Sequence, residues 1–476
     1  MLLYMLAVSD GKLRYRPAAL SIDRAGGGRH RLGLLLSDLG TLLNRPGARA
    51  AAHNLGWLVI EKAVRLVFTV GVSFWIARYL GPARLGTLGY CAALVALLGF
   101  LPSLGLDAVV KRELLQSPAR TEEVLASSLV LRLGAGMLAY ALVLLAVFIG
   151  WGLTADESWL FVILGLTLFQ QALLLPDLWL QAHLRAKWSV AVQLVTLAIC
   201  SALRVWLILS NGSLTAFAWV AVVEMALGAT GLFLFSRRLG LRISGVAAQA
   251  ATMRRLLTES WPLMFASLAI IVYMRIDQVM LRQLAGPAAV GIYTAAARLS
   301  EVWYFLPVGL AASLLPALLR ARARDARAYD ARQQQYYDLS AAAAYALSIP
   351  IALAASWLVR MAYGPEFAAA GPILSVHIWS SIFVFLGVAR GQWLVNERLQ
   401  RFYLVATLAG AVANILLNLL FIPRWGGLGA AWATVISYAL ATWGASYFHP
   451  AVRATAAMQT RALLLPLLGW RYLRHR

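Results

Sequence analysis

Residues 77–106, ARYLGPARLGTLGYCAALVALLGFLPSLGL, and residues 281–310, LRQLAGPAAVGIYTAAARLSEVWYFLPVGL, are two copies of one segment. The shift that carries Gly81 to Gly286 also lays Pro82-Ala83 on Pro287-Ala288, Gly86 on Gly291 and Phe100-Leu101-Pro102 on Phe305-Leu306-Pro307. Duplication constrains the fold more than any single motif, because two similar units pack as two similar lobes. In membranes such lobes commonly move against one another around a site between them.

Both copies lie in long apolar surroundings. The chain has 476 residues, 61% hydrophobic and 13% charged, with mean hydropathy +0.73. Soluble domains carry about 25% charged residues, so the chain reads as an all-α polytopic membrane protein. A net charge of +22 would suggest nucleic acid in a soluble chain. Here the charges fall in short segments between apolar runs, which excludes that partner in favour of the bilayer. Cys91 and Cys200 both sit inside apolar runs, and no zinc-ligand spacing, nucleotide loop or nucleophile elbow is present. No catalytic residue and no metal site is expected.

A crossing helix needs roughly 17–25 mostly apolar residues. Twelve stretches qualify: 55–80, 85–106, 124–150, 157–180, 188–210, 214–236, 259–284, 289–318, 338–362, 371–394, 402–422 and 427–448. The N-terminal tail, every second connection and the C-terminal tail are rich in Lys and Arg; the alternate connections hold only Arg84 and Arg424. That bias places both termini in the cytoplasm. Six crossings per copy make the lobes parallel, around a central cavity. The expected organisation is a basic tail (1–53, with a short surface helix at 32–43), an N-lobe (54–236), a basic linker (237–258), a C-lobe (259–448) and a basic tail (449–476). The Gly-Pro pairs fall in tight outer turns, and Pro102 and Pro307 should bend their helices.

Ionisable residues inside crossing helices are functional candidates. Span 1 carries Glu61, Lys62 and Arg65, with Glu61 and Arg65 spaced to pair. Arg132 and Arg204 have no acid within their own helices and are cavity candidates. Glu224 is placed near the bilayer middle, either titrating or neutralising Arg204. Arg275 and Asp277 lie on span 7, and Arg298 and Glu301 on span 8. Asp277 could reach Arg298 across the adjacent helix, and Arg298 and Glu301 could pair with each other. His377 reads as a satisfied polar contact, and Arg390 as a snorkelling side chain near its helix end. Arginine exceeds acid in this set, which suits an anionic ligand, because guanidinium binds phosphate bidentately and stays charged.

The stretches ARYLGPARLGTLGY, PSLGLD, ESWPLMFASLAIIVYMRIDQVML, GIYTAAARLSEVWYFLPV and NILLNLLFIPRWGGLGAAWATVISY resemble the polysaccharide, or oligosaccharide, flippases of the multidrug/oligosaccharidyl-lipid/polysaccharide (MOP) exporter superfamily. The resemblance covers about 54–448. It implies a bacterial inner-membrane protein that moves a polyprenyl-pyrophosphate-linked sugar unit to the periplasmic leaflet by alternating access. Glycan polymerase and co-polymerase proteins are the partners it implies. By matching position, RIDQ supplies Arg275, Asp277 and Gln278, RLSE supplies Arg298 and Glu301, and NILLN supplies Asn414 and Asn418. No cofactor is implied; proton or sodium coupling through Glu224 or Asp277 stays open. The alternatives are a drug exporter of the same superfamily and a membrane glycan polymerase or ligase, which would need a larger outer loop than this chain offers.

Overall fold

The computed structural model describes residues 46–150, 152–241, 247–322, 325–397 and 399–466. The expected helix at 32–43 and most of the N-terminal tail lie outside the described residues, as do the side chains of Glu61, Lys62 and Arg65. Among the described residues there is no strand, and nine helices are long and apolar enough to cross a membrane. Helix is the only solution for single segments in lipid, where every backbone N–H and C=O must be satisfied within its own element.

The expected N-lobe, the name kept here for everything before the linker, folds as α1 (Pro46–Leu98), α2 (Leu106–Gln116), α3 (Thr121–Phe148), α4 (Ala155–Gly165), α5 (Leu175–Ala182), α6 (Ala186–Leu209) and α7 (Leu214–Arg238). The C-lobe contains α8 (Ala250–Ala285), α9 (Pro287–Glu301), α10 (Phe305–Arg322), α11 (Ala326–Tyr363), α12 (Ala370–His377), α13 (Ser380–Asn396), α14 (Gln400–Thr442) and α15 (Arg453–Leu463). α1 and α14 each hold two crossings. An unbroken helix of α14's 43 residues would run about 65 Å, twice the hydrocarbon thickness. It breaks at Gly426 (φ +55), and α1 breaks at Gly81 (φ +69). The expected spans 4 and 10 are each interrupted helices, α4 to α5 and α12 to α13.

Both Phe-Leu-Pro sites mark breaks. The first copy stops at Leu98, makes one turn over Phe100–Ser103, then reverses through Leu104 (φ +48) and Gly105 (φ +64). The second tightens into a 3-10 turn over Val302–Tyr304 before α10.

The lobes meet most closely where the copies cross. A Cβ on Gly86 would lie 1.7 Å from the Pro287 carbonyl oxygen, and one on Gly291 would lie 1.9 Å from that of Pro82. The contact is reciprocal, as in an isologous two-fold interface. The duplicated segments are therefore the surfaces through which α1 and α9 lock the lobes together. At the opposite, basic end, the first turns of α8 are tied to the N-lobe. Arg255 pairs with Glu113 at 2.9 Å, Glu259 pairs with Arg112, and Gln249 N–H donates to Ser127 Oγ at 3.1 Å. α8 thus begins against one lobe and ends in the other.

Candidate functional site

The ionisable residues of the two lobes converge where α6 and α7 face α8 and α9. On the N-lobe side, Arg204 donates to Glu224 at 2.5 Å, joining α6 to α7. On the C-lobe side, Arg275 and Glu301 lie 3.7 Å apart, joining α8 to α9. Arg298 is exposed, and among the described residues it makes no ion pair. The charges that act on it are Arg275 and Glu301 from its own lobe and Arg204 from the other, together with the Tyr363 hydroxyl. Three guanidiniums and two carboxylates therefore share the seam between the lobes, and one guanidinium is uncommitted.

Two expected pairings are replaced. Asp277 does not reach Arg298. It is buried, accepts the Tyr293 hydroxyl and is bonded by the Gln278 backbone N–H at 2.9 Å. Tyr293 also lies 3.3 Å from Thr434 Oγ1 on α14, so Asp277 is tied into the C-lobe interior. Arg298 and Glu301 form no salt bridge, because Glu301 faces Arg275.

The other described candidates make contacts of their own rather than joining those charges. Arg132 is fully buried inside the N-lobe, donating to Asp107 at 2.6 Å and to the Gln171 carbonyl at 2.7 Å. Asn414 and Asn418 are fully buried on the first leg of α14. Asn418 Nδ2 donates to Asn414 Oδ1 at 3.0 Å, and Asn414 Nδ2 to Ser437 Oγ at 3.2 Å on the second leg. Gln278 is buried beside Asp277. Arg65 lies on α1, its side chain outside those described. His377 is buried with its ring edge-on to Tyr293. Arg390 does not snorkel: it is 3% exposed.

A clasp at the Gly-Pro end escaped the sequence reading. Arg282, near the end of α8, donates to Glu157 on the N-lobe at 2.6 Å and lies over the Tyr90 ring. Glu157 is 2% exposed and is fixed by a capping box with Thr154 at the start of α4. Arg78, which precedes Gly81 as Arg282 precedes Gly286, reaches the other way, donating to the Ala362 carbonyl at 2.9 Å and to that of Met361. The spacing Thr154-x-x-Glu157 was the one available signal, since it marks a helix start. Its partner 125 residues away had none.

A model of the family described as polysaccharide biosynthesis protein matches residues 51–322, and one described as MatE matches residues 262–420. No curated protein matches the chain. Among solved structures, an inward-facing multidrug resistance MATE family transporter of the MOP superfamily is similar, with TM-score 0.65 and 15% identity, over 84% of this chain and 95% of that one. The lipid II flippase MurJ in an inward closed conformation is similar with TM-score 0.63 and 12% identity, over 88% and 93%. A Pyrococcus furiosus MOP superfamily transporter, described as having reversed binding-pocket polarity that suggests a different function, gives 0.53 and 14%, over 87% and 94%.

Proposed function

The chain belongs to the polysaccharide biosynthesis protein family, and we propose that it moves a polyprenyl-pyrophosphate-linked oligosaccharide across the bacterial inner membrane, from cytoplasmic to periplasmic leaflet. The observation that carries this reading is the uncommitted Arg298 at a seam where three arginines from both lobes meet two carboxylates. The apolar chain of such a substrate can stay in the bilayer. Its pyrophosphate cannot, and an exposed guanidinium flanked by two others supplies the bidentate, permanently charged partner it needs.

Alternating access follows from the two ends. With the Gly-Pro turns outside, the crossing of Gly86 and Gly291 and the clasp of Arg282 and Arg78 close the outer face. Substrate enters from the cytoplasmic side. Opening outward parts the clasp, and Arg298 loses affinity for the pyrophosphate as solvent enters and screens the pair. Asp277 and Glu224 are the acids available to couple the cycle to protons or sodium.

Replacing Arg298 by Ala should lower surface polysaccharide at least tenfold, with lipid-linked units accumulating at the cytoplasmic face and the protein still inserted. Replacement by Lys should recover part of the activity. Full export in the Ala variant would overturn the assignment. The MatE match supports a second reading, export of small molecules. A deletion strain that gains drug sensitivity while keeping its surface polysaccharide would establish that reading instead.

A further inference from the structure

A chamber lies inside the C-lobe, beside the seam but lined by other residues. Its volume is about 430 Å³, and α8, α13 and α14 supply most of its walls. None of Arg204, Arg275, Arg298 and Glu301 lines it. Its lining has two characters. Near the ends of α13 and α14 stand Arg390, Tyr403, Thr407 and Thr442. Ile270 and Met274 of α8 and Phe383 and Val384 of α13 supply apolar wall, beside the phenols Tyr273, Tyr304 and Tyr438. Val384 precedes Arg390 by six residues, about 9 Å of helix.

Arg390 is the unusual member. One terminal nitrogen donates to the Thr442 carbonyl at 2.6 Å and to Ser446 Oγ at 2.9 Å. The guanidinium also lies over the Phe402 ring, 5.7 Å from its centroid. Its Nε is buried and has no hydrogen-bond partner among the described residues. Among the described residues it makes no ion pair, and the ionisable groups that act on it are the phenols of Tyr337, Tyr403 and Tyr273. A guanidinium withdrawn from water without a counter-ion is a costly arrangement, and the usual resolution is an anion that accepts from its free donors.

We propose that this chamber binds a phosphate-bearing amphiphile, its phosphate accepting from Arg390 and the neighbouring hydroxyl of Tyr403, and its apolar chain lying against Phe383, Val384 and Met274. Guanidinium matches phosphate geometry, and apolar side chains in the same chamber suit the hydrocarbon that follows a phosphate head group. A bilayer phospholipid and a polyprenyl phosphate share that chemistry.

The test is binding of dodecyl phosphate to the full-length protein in neutral detergent, followed by calorimetry and native mass spectrometry. Saturable binding of one equivalent is expected, at least tenfold weaker in Arg390→Gln. Val384→Trp, which fills the apolar arm and leaves Arg390 in place, should weaken it by a similar factor, and this variant decides the matter if Arg390→Gln does not fold. Unchanged binding in a folded variant would overturn the proposal. So would equal binding of dodecyltrimethylammonium, or inorganic phosphate competing as well as dodecyl phosphate. Displacement by phosphatidylglycerol or by undecaprenyl phosphate identifies the source, and displacement by neither counts against the site.

Discussion

The two copies of the Gly-Pro segment share a turn and part company at its far end. Gly81 and Gly286 have the same backbone conformation (φ +69, ψ 172 and φ +85, ψ 173), each followed by a proline that opens the next helix. The copies then cross at Gly86 and Gly291. Downstream, Leu104-Gly105 aligns with Gly309-Leu310. The first copy turns aside there, while the second runs on to Arg322. Gly105 sits in the left-handed region, and a Cβ on it would lie 2.6 Å from the Met264 backbone nitrogen. The turn in the first copy is thus what seats α8 against the N-lobe. A duplicated scaffold gains its asymmetry by moving one glycine a single position along the aligned segment.

The clasp repeats the lesson in charge. Arg78 and Arg282 occupy matching places once a one-residue gap is allowed, and each reaches into the opposite lobe. Arg78 finds carbonyls at the end of α11 and stays exposed. Arg282 finds a buried carboxylate. Carbonyl contacts at the surface are worth little, while a buried charge pair is costly to break from one side.

The crossing is the place to break the symmetry outright. Gly86→Val or Gly291→Val should abolish the packed form, since the new side chain meets backbone that cannot yield. Loss of monodisperse protein on size exclusion, or spin labels at the two Gly-Pro turns moving apart by several ångströms, would register it. Wild-type behaviour in both variants would show that the lobes do not lock there. Next in size, Glu157→Gln should cost about 3–5 kcal/mol through the stranded Arg282, visible as a lower melting midpoint. Arg78→Gln should cost about 1 kcal/mol or less. Equal losses would mean that the two halves of the clasp are equivalent after all. Smallest, Gly71→Ala should stabilise by about 0.5–1 kcal/mol at most, because nothing lies within 4 Å of the added carbon and alanine is the better helix former.

The charges follow the same division. Arg298 and Glu301 align with Ala93 and Ala96 of the first copy, and both alanines' neighbourhood is apolar packing. What the copies share builds contact between lobes, and what they do not share places Arg298 and Glu301 at the seam. Arg204 shows how far the sequence carries. Its lack of an acid on its own helix was plain, and Glu224 on the next span stood open between titrating and neutralising it; the structure pairs the two. Arg132 looked the same in sequence yet belongs to the N-lobe interior, held by Asp107.

The sequence by itself determined the helical class, the crossing segments, the duplication and the turns at Gly81 and Gly286. These depend on runs of apolar residues and on backbone constraints that act within a few positions. Only the tertiary structure decided that Gly86 meets Pro287, that Arg282 meets Glu157, that Glu301 takes Arg275, and that among the described residues neither Arg298 nor the buried Arg390 has an ion-pair partner. In a chain apolar on nearly every helix face, hydropathy does not say which face meets which. That choice is made by close backbone approach and by pairing of a few polar groups, and both depend on residues far apart in the chain.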